Sequence, residues 1–264
     1  MKSEALDLRL KAFCLPSFLE NYADMAHRAE KTGWRHVEYL EALCEIEAEE
    51  RQSRRVARLL KESQLPKDKT LSTLKLERFN ATIRNQVRAL AGGEFLPAAT
   101  NVCVFGNPGT GKTHIVAAIG HELVRSGRNV LFTVVSELVE KLLAAKRDLK
   151  LAREFRKLER FDCLILDDIG YVQHNREEME VLFALLAERY ERKSVMITTN
   201  LVFSKWDQIF KDAMTTAAAV DRVVHHSVIL ELNVRSYRAE EALGKKGQKP
   251  EETKVQTAEK EAAP

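Results

Sequence analysis

The sequence predicts an α/β fold: a parallel five-stranded sheet sandwiched by helices, with a small all-helical module in front of it. Three observations predict it. Between Asn101 and Leu232, short and nearly continuous apolar runs alternate with helical patterns, as expected of parallel strands buried on both faces. The first of those runs ends in a glycine-rich loop, Gly106 to Thr113, that passes directly into a helix. Residues 1 to about 65 carry apolar side chains at helical spacing and no strand signal.

The N-terminal module is expected over residues 1–66, as a partner- or DNA-docking part. Leu6, Leu10 and Phe13 fall on one helical face, and Pro16 interrupts. Ser17 with Glu20 reads as a capping box, followed by the stripe Phe18, Tyr22, Met25 and Ala29 and a stop at Gly33. From Trp34 to about Ser63 a longer helix carries Val37, Leu40, Cys44, Val56, Leu59 and Leu60 inward. Its end is basic: Arg51, Arg54, Arg55, Arg58 and Lys61 share a face. That stripe suits either internal pairs such as Glu47–Arg51 and Glu50–Arg54 or contact with DNA phosphate or an acidic partner. Pro66 closes the module.

Residues 67–99 read as a connector, with Lys67, Asp68 and Lys69 exposed and a helix over Thr82–Leu90 ended by Gly92-Gly93. This stretch is placed to frame a nucleotide base. The core is expected over residues 100–243. Its strands are Asn101–Phe105, Asn129–Val135, Cys163–Leu166, Val195–Thr199 and Val228–Leu232. Helices are expected over Thr113–Ser126, from a Ser136 cap through Lys146, and from about Asn175 through Tyr190. Residues 244–264 are rich in Lys, Glu, Ala, Gly and Pro and are expected to be disordered.

Composition narrows the class. Charged residues are 31% and apolar residues 45%, which suits a soluble globular protein. A net charge of +3 confines any nucleic-acid surface to a local patch. Cys14, Cys44, Cys103 and Cys163 form no C-x-x-C pair, and the last two sit inside apolar runs, so buried thiols are expected. No run has the length of a membrane span and the N-terminus lacks a signal core, so a cytoplasmic, reduced setting is expected.

The chemistry lies in four motifs. Gly106-Asn-Pro-Gly-Thr-Gly-Lys-Thr113 sits between strand and helix, the setting a phosphate-binding loop needs. Backbone amides of Gly106, Asn107, Pro108, Gly109, Thr110 and Gly111 and of the helix start would cradle the β-phosphate, with His114 following in the first turn (Pro108 contributes shape, since it has no N–H). Lys112 would reach the β- and γ-phosphates, and Thr113 would hold Mg²⁺. In Cys163-Leu-Ile-Leu-Asp-Asp-Ile-Gly-Tyr171 paired acids end a strand: Asp167 for the Mg²⁺ shell, Asp168 to orient or deprotonate the attacking water. Asn200, after the strand Val195–Thr199, fits a γ-phosphate sensor, with Thr198 and Thr199 in support. Arg222, beside Asp221 at the end of an Ala-rich helix, fits an arginine supplied to a neighbouring subunit's γ-phosphate. His225-His226 is not expected to hold metal, because adjacent side chains diverge and no third ligand is near in sequence.

A charge feature stands apart. Lys141, Lys146, Arg147, Lys150, Arg153, Arg156, Lys157 and Arg160 face only three acids, so this window carries +5, more than the whole chain. It reads either as an amphipathic helix with Leu149, Phe155 and Leu158 inward, or as a surface following a duplex DNA backbone without base readout.

Taken in order, these motifs resemble the IstB family, AAA+ ATPase helpers of insertion-sequence transposases related to DnaC-type helicase loaders. The resemblance runs from about Leu6 to Arg238. It also rests on Phe203-Ser-Lys-Trp-Asp207, Val-Asp-Arg-Val-Val-His-His226 and Ser236-Tyr-Arg238. It implies a P-loop AAA+ core, a helical N-terminal module and no helical lid. It implies ATP and Mg²⁺ as cofactors, a slow DNA-stimulated ATPase, and nucleotide-dependent self-assembly on DNA with a transposase as partner. It assigns Arg222 the finger role and Arg238 a sensor-like contact. One departure stands out: Asp168 occupies a place where the wider class favours Glu, which pulls the carboxylate back by about 1.5 Å and suits slow turnover. The same engine could serve a replicative helicase loader. A small-molecule kinase would need a second substrate motif, which is not visible, and a nucleotide-gated scaffold would need negligible turnover.

Overall fold

In the computed structural model, which describes residues 3–170, 176–206 and 213–237, five strands form one parallel sheet. They are β1 (Asn101–Gly106), β2 (Val130–Val134), β3 (Cys163–Ile169), β4 (Ser194–Thr199) and β5 (Ser227–Leu232), in the order β2-β3-β4-β1-β5. β1 is an interior strand: Cys103 lies opposite Ile197 of β4 and Ile229 of β5. Alternate residues feed two cores, as the strand period requires. Val102 and Val104 pack with Ile115, Val116, Ile119 and Leu123 of α5 (Lys112–Arg125) and with Ile83, Val87 and Leu90 of α4 (Ala81–Gly92). Cys103 and Phe105 face the other way, among side chains of α6 (Val135–Arg147), α8 (Arg176–Arg189) and α9 (Ala213–Val224). Burial pushes the Cys103 and Cys163 thiols up to about 12. Asn101 is the buried polar stitch at the start of β1. Its amide accepts from the Val195 N–H at 3.0 Å and donates to the carbonyls of Arg222 and Val223.

The window 141–160 is not one helix. α6 ends at Arg147 and α7 (Leu151–Glu159) begins after a turn, making a helical hairpin between the edge strand β2 and β3. Leu151, Phe155 and Leu158 face the core, but Leu149 does not: it sits in the turn, 95% exposed. The break moves it off the helical face that a continuous pattern assigns to it. Ser136 lies inside α6 and does not cap it; Val134 is the cap residue, straight from the strand.

In the N-terminal module, α1 (Glu4–Ala12), α2 (Pro16–Thr32) and α3 (His36–Ser63) share a small core of Leu10, Tyr22 and Leu43. Pro16 starts α2 rather than interrupting a helix, since the first helical position needs no N–H partner. The Ser17–Glu20 box is replaced by a long-range cap: the Ser17 N–H donates to Glu47 Oε2 of α3 at 2.9 Å. Burial pushes the Glu47 carboxyl up, but hydrogen bonds from Arg51 and Ser17 outweigh it and hold the group below 4.5. Because the buried line of α3 runs through Leu43 and Glu47, Val37 and Leu40 point to solvent, as does Phe13. Further along, Leu59 of α3 enters the main core, and Arg55 donates to the Gly127 carbonyl at 3.1 Å.

Among the described residues no helix is long and apolar enough to cross a membrane. Residues 244–264, Arg238, Asn175, Tyr171 and Asp207 lie outside the described residues.

Candidate active site

β1 delivers the glycine-rich loop to the carboxyl end of the sheet, where parallel sheets bind ligands. Gly111, at φ 99°, caps α5 from the left-handed region, and the first turn of that helix holds no acid, so its positive end faces the loop uncompensated. Gly109 is required for a different reason. A Cβ there would lie 2.1 Å from Ser236 Oγ, because the segment after β5 folds over the loop and the Tyr237 N–H donates to the Gly109 carbonyl at 2.9 Å. Lys112 is buried, its ammonium donating to the carbonyls of Gly106 at 2.8 Å and Asn107 at 3.1 Å.

The acidic pair is separated by a backbone irregularity. The register of β3 against β4 shifts between Leu166 and Ile169, and Asp168 takes φ 65°. The result is that two adjacent carboxylates part. Asp167 turns in: both its oxygens accept from Thr113 Oγ1 at 3.0 Å, and Oδ1 also accepts from Thr198 Oγ1 at 2.6 Å. Asp168 stays exposed, and its backbone N–H donates to Thr198 Oγ1 at 2.9 Å. Burial pushes the Asp167 carboxyl above 3.8, against the hydrogen bonds from Thr198 and Thr113, and the charge of Asp168 adds to the rise.

Lys112, Thr113, Asp168 and Asn200 line one cleft of about 400 Å³. The hydroxyl of Thr113 in the cleft wall and the buried carboxylate of Asp167, 3.0 Å from it, are the hard oxygen donors that a Mg²⁺ ion with a bound triphosphate takes. The residues present therefore fit that group. His114 also lines the cleft, but its imidazole is engaged by Thr73 Oγ1 at 3.1 Å and the Thr70 carbonyl at 3.2 Å. Burial holds it below 6.5, against the pull of the Thr70 carbonyl. Its placement ties the connector to the phosphate loop.

The opposite wall was not readable from the sequence. It consists of Asp68, Lys69, Leu74, Lys75, Arg78, Phe79 and Tyr237. Lys75 and Arg78 stand 5.0 and 5.1 Å from the Tyr237 ring centroid, and Arg78 donates to the Arg235 carbonyl at 3.2 Å. For residues 68–79 the one available signal was position before a phosphate loop, which marks the segment but no residue in it, whereas Tyr237 lies in the Ser236-Tyr-Arg238 segment that the sequence singles out.

Arg222 lies at the other end of the sheet. Its carbonyl meets Asn101, the first residue of β1, whereas the phosphate loop follows the last. Six strand residues separate them by about 16 Å, beyond any arginine's reach. Its guanidinium sits 4.6 Å from the Phe183 ring centroid, and Nη1 is buried without a hydrogen-bond partner. Near it, Glu191 supplies the third donor atom beside His225 and His226 that the sequence spacing did not reveal, all three within 4.8 Å and all exposed. His225 Nδ1 also lies 3.1 Å from the Tyr190 hydroxyl.

The two basic surfaces differ. On α3, Arg51 bonds Glu47 and the Cys14 carbonyl, Arg54 lies 3.5 Å from Glu47, and Arg55 holds Gly127. Arg51 and Arg54 fasten the module internally and Arg55 ties it to the core, while Arg58, exposed like the other three, makes no salt bridge among the described residues. On the α6–α7 hairpin, Lys141, Lys146, Lys150 and Lys157 pair with acids, whereas among the described residues Arg147, Arg153, Arg156 and Arg160 make no salt bridge. All eight side chains are exposed.

Comparison with known proteins accords with this geometry. A family model described as IstB-like ATP binding protein matches residues 8–244. An insertion-sequence ATP-binding protein of Sinorhizobium fredii is 43% identical over 239 residues, covering 90% of this chain and 80% of that one. The insertion sequence IS21 ATP-binding protein of Pseudomonas aeruginosa is 37% identical over 246 residues, covering 90% and 89%. Among solved structures, a DnaC helicase loader superposes with a TM-score of 0.53 at 18% identity, covering 63% of this chain and 98% of that chain. AMPPCP-bound DnaA from Aquifex aeolicus gives 0.55 at 16% identity, covering 74% of this chain and 58% of that chain. The likeness to these two is one of fold, the P-loop AAA+ fold.

Proposed function

The chain belongs to the IstB-like ATP binding protein family, and on that footing we propose that it is an ATP-hydrolysing helper of an insertion-sequence transposase. It binds ATP in the cleft, assembles with further copies on duplex DNA, and recruits the transposase of the same element. The observation that carries this reading is the convergence of Lys112, Thr113, Asp168 and Asn200 on one cleft, with Asp167 locked behind Thr113.

In this reading Lys112 and the amides of the loop and the α5 start bind the phosphates, and Leu74, Phe79 and Tyr237 flank the base. Thr113 and Asp167 hold Mg²⁺, which when bound neutralises charge on the β- and γ-phosphates. Asp168, turned into the cleft by its left-handed backbone, orients the attacking water and draws its proton, and Asn200 holds that water against the γ-phosphate. Arg222 serves the cleft of a neighbouring copy, because its own cleft is a sheet-length away. The exposed cations of the α6–α7 hairpin follow the DNA backbone without base readout, with Arg58 of α3 as a further contact.

The test is ATP turnover with and without duplex DNA, with Arg222→Ala alongside. Arg222→Ala is expected to keep ATP affinity and to lose about 10³-fold in turnover. Equal turnover in both proteins would remove the shared-site reading. Pull-down from the same samples, with the element's transposase and a hexameric helicase as baits, identifies the client.

A further inference from the structure

The turn between α6 and α7 places a leucine where the backbone favours glycine. α6 closes with the Leu149 N–H on the Lys146 carbonyl at 3.1 Å and the Lys150 N–H on the Ala145 carbonyl at 2.7 Å. This is the two-bond helix stop whose central residue is left-handed and is usually glycine. Here it is Leu149, at φ 57°. The side chain gains nothing from folding in exchange. Leu149 is more exposed than any other large apolar side chain among the described residues, and the apolar face of the hairpin is completed by Leu151, Phe155 and Leu158 without it. An L side chain held in an unfavourable backbone conformation and presented bare to solvent points to a role outside the monomer.

What surrounds it indicates the partner. Lys146, Arg147, Lys150 and Arg153 all lie within four residues of Leu149 and all are exposed. Lys146 and Lys150 pair only with exposed acids, Glu180 and Asp148, contacts weak enough to yield to phosphate. Arg147 and Arg153 make no salt bridge among the described residues. A ring of cations around one apolar side chain is poorly suited to a protein pocket and well suited to a duplex, whose phosphates flank a stack of apolar base faces.

We propose that Leu149 is a wedge: the cations grip phosphates of duplex DNA and the leucine enters between adjacent base pairs from the minor groove, unstacking the step and bending the helix. This rests on the DNA-binding reading above and assigns the unstacking of the duplex to one side chain, with the preference for easily unstacked steps that follows from it.

Leu149→Gly tests it without a folding penalty, since glycine suits the left-handed position. The full chain is compared with this variant, and with the double variant Arg147→Ala/Arg153→Ala, on a duplex that carries end-to-end fluorophores and an internal 2-aminopurine, with a non-hydrolysable ATP analogue present. The native chain is expected to raise 2-aminopurine emission and shorten the end-to-end distance. Leu149→Gly is expected to melt no lower than the native chain and to bind within about threefold of its affinity, with neither optical change. The double arginine variant is expected to lose about tenfold or more in affinity. Unchanged unstacking and bending by Leu149→Gly would overturn the wedge and leave the DNA-binding reading standing. Absence of duplex binding by the native chain would overturn both. A fall in assembled mass without DNA in Leu149→Gly would also overturn the wedge and place the leucine against a second copy.

Discussion

Thr198 donates its hydroxyl to Asp167 at 2.6 Å while the same oxygen accepts the Asp168 N–H at 2.9 Å. One side chain of β4 therefore fixes both acids at the end of β3: the buried carboxylate through its oxygen and the exposed one through its backbone. Thr198→Val keeps the β-branched shape and the fold but removes both bonds. The affinity for ATP with Mg²⁺ is expected to fall by about 10- to 100-fold, the usual cost of removing a partner behind a metal ligand. Titration calorimetry with and without Mg²⁺ checks it, and undiminished affinity would contradict the role given to Thr198.

The Asp167 carboxyl has a pH consequence. Burial raises it above 3.8 in the folded chain. A raised folded pKa contributes stability that is fully present below the unfolded value and is lost as pH rises through the folded value. Mg²⁺ binding works the other way, because only the ionised carboxylate is a ligand. The gain in melting temperature on adding Mg²⁺ and nucleotide is therefore expected to grow with pH, rising above the range of an ordinary aspartate. Thermal melts from about pH 4 to pH 8 test this. A gain that is flat across that range would show that Asp167 does not hold the ion.

Much of this molecule was legible in its sequence. The strands read clearly because β1, β3 and β4 are buried on both faces and so carry nearly continuous apolar runs. The phosphate loop read clearly because glycine spacing, lysine and threonine are all dictated by backbone geometry. The separation of Asp167 from Asp168 was not legible, since it depends on a register shift against β4 that leaves no trace in composition. Nor was the long-range cap of α2 by Glu47, a contact across 30 residues. Leu149 read as inward because a break of three residues between α6 and α7 carries no glycine or proline to announce it. The cleft wall from Asp68 to Phe79 escaped for the same kind of reason: a loop's side chains acquire a role from where the chain folds, not from their order.

Arg189 supplies a prediction for stability. It is buried and donates to the carbonyls of Leu158, Phe161 and Ser194 at 3.1, 3.0 and 3.0 Å, joining the end of α7 to the starts of β3 and β4. Burial lowers its guanidinium to about 10, so it remains charged at neutral pH. Arg189→Met fills the space but removes three hydrogen bonds to buried carbonyls, of which that of Leu158 keeps a turn partner, the Phe161 N–H at 3.2 Å. Unfolding in urea is expected to show a loss of about 3 kcal/mol, from about 1–3 per unsatisfied group with partial relaxation. A loss below about 0.5 kcal/mol, the range of an ordinary surface substitution, would contradict the role given to those bonds.

The short carboxylate at Asp168 is expected to limit hydrolysis. Asp168→Glu extends the base by about 1.5 Å and should raise the single-turnover rate by about tenfold or more. Glutamate tolerates the left-handed backbone less well than aspartate, so a melting curve accompanies the rate. An unchanged or slower rate in a variant that melts normally would count against the timing role of Asp168.

The central claim is that a triphosphate gripped by Lys112 governs how copies of this chain join on DNA. Light scattering of the native chain and of Lys112→Ala, each with ATP, Mg²⁺ and a short duplex, tests it most directly. The account predicts a DNA-bound oligomer for the native chain and particles no larger than the free protein for Lys112→Ala. Equal masses for the two proteins under those conditions would contradict it.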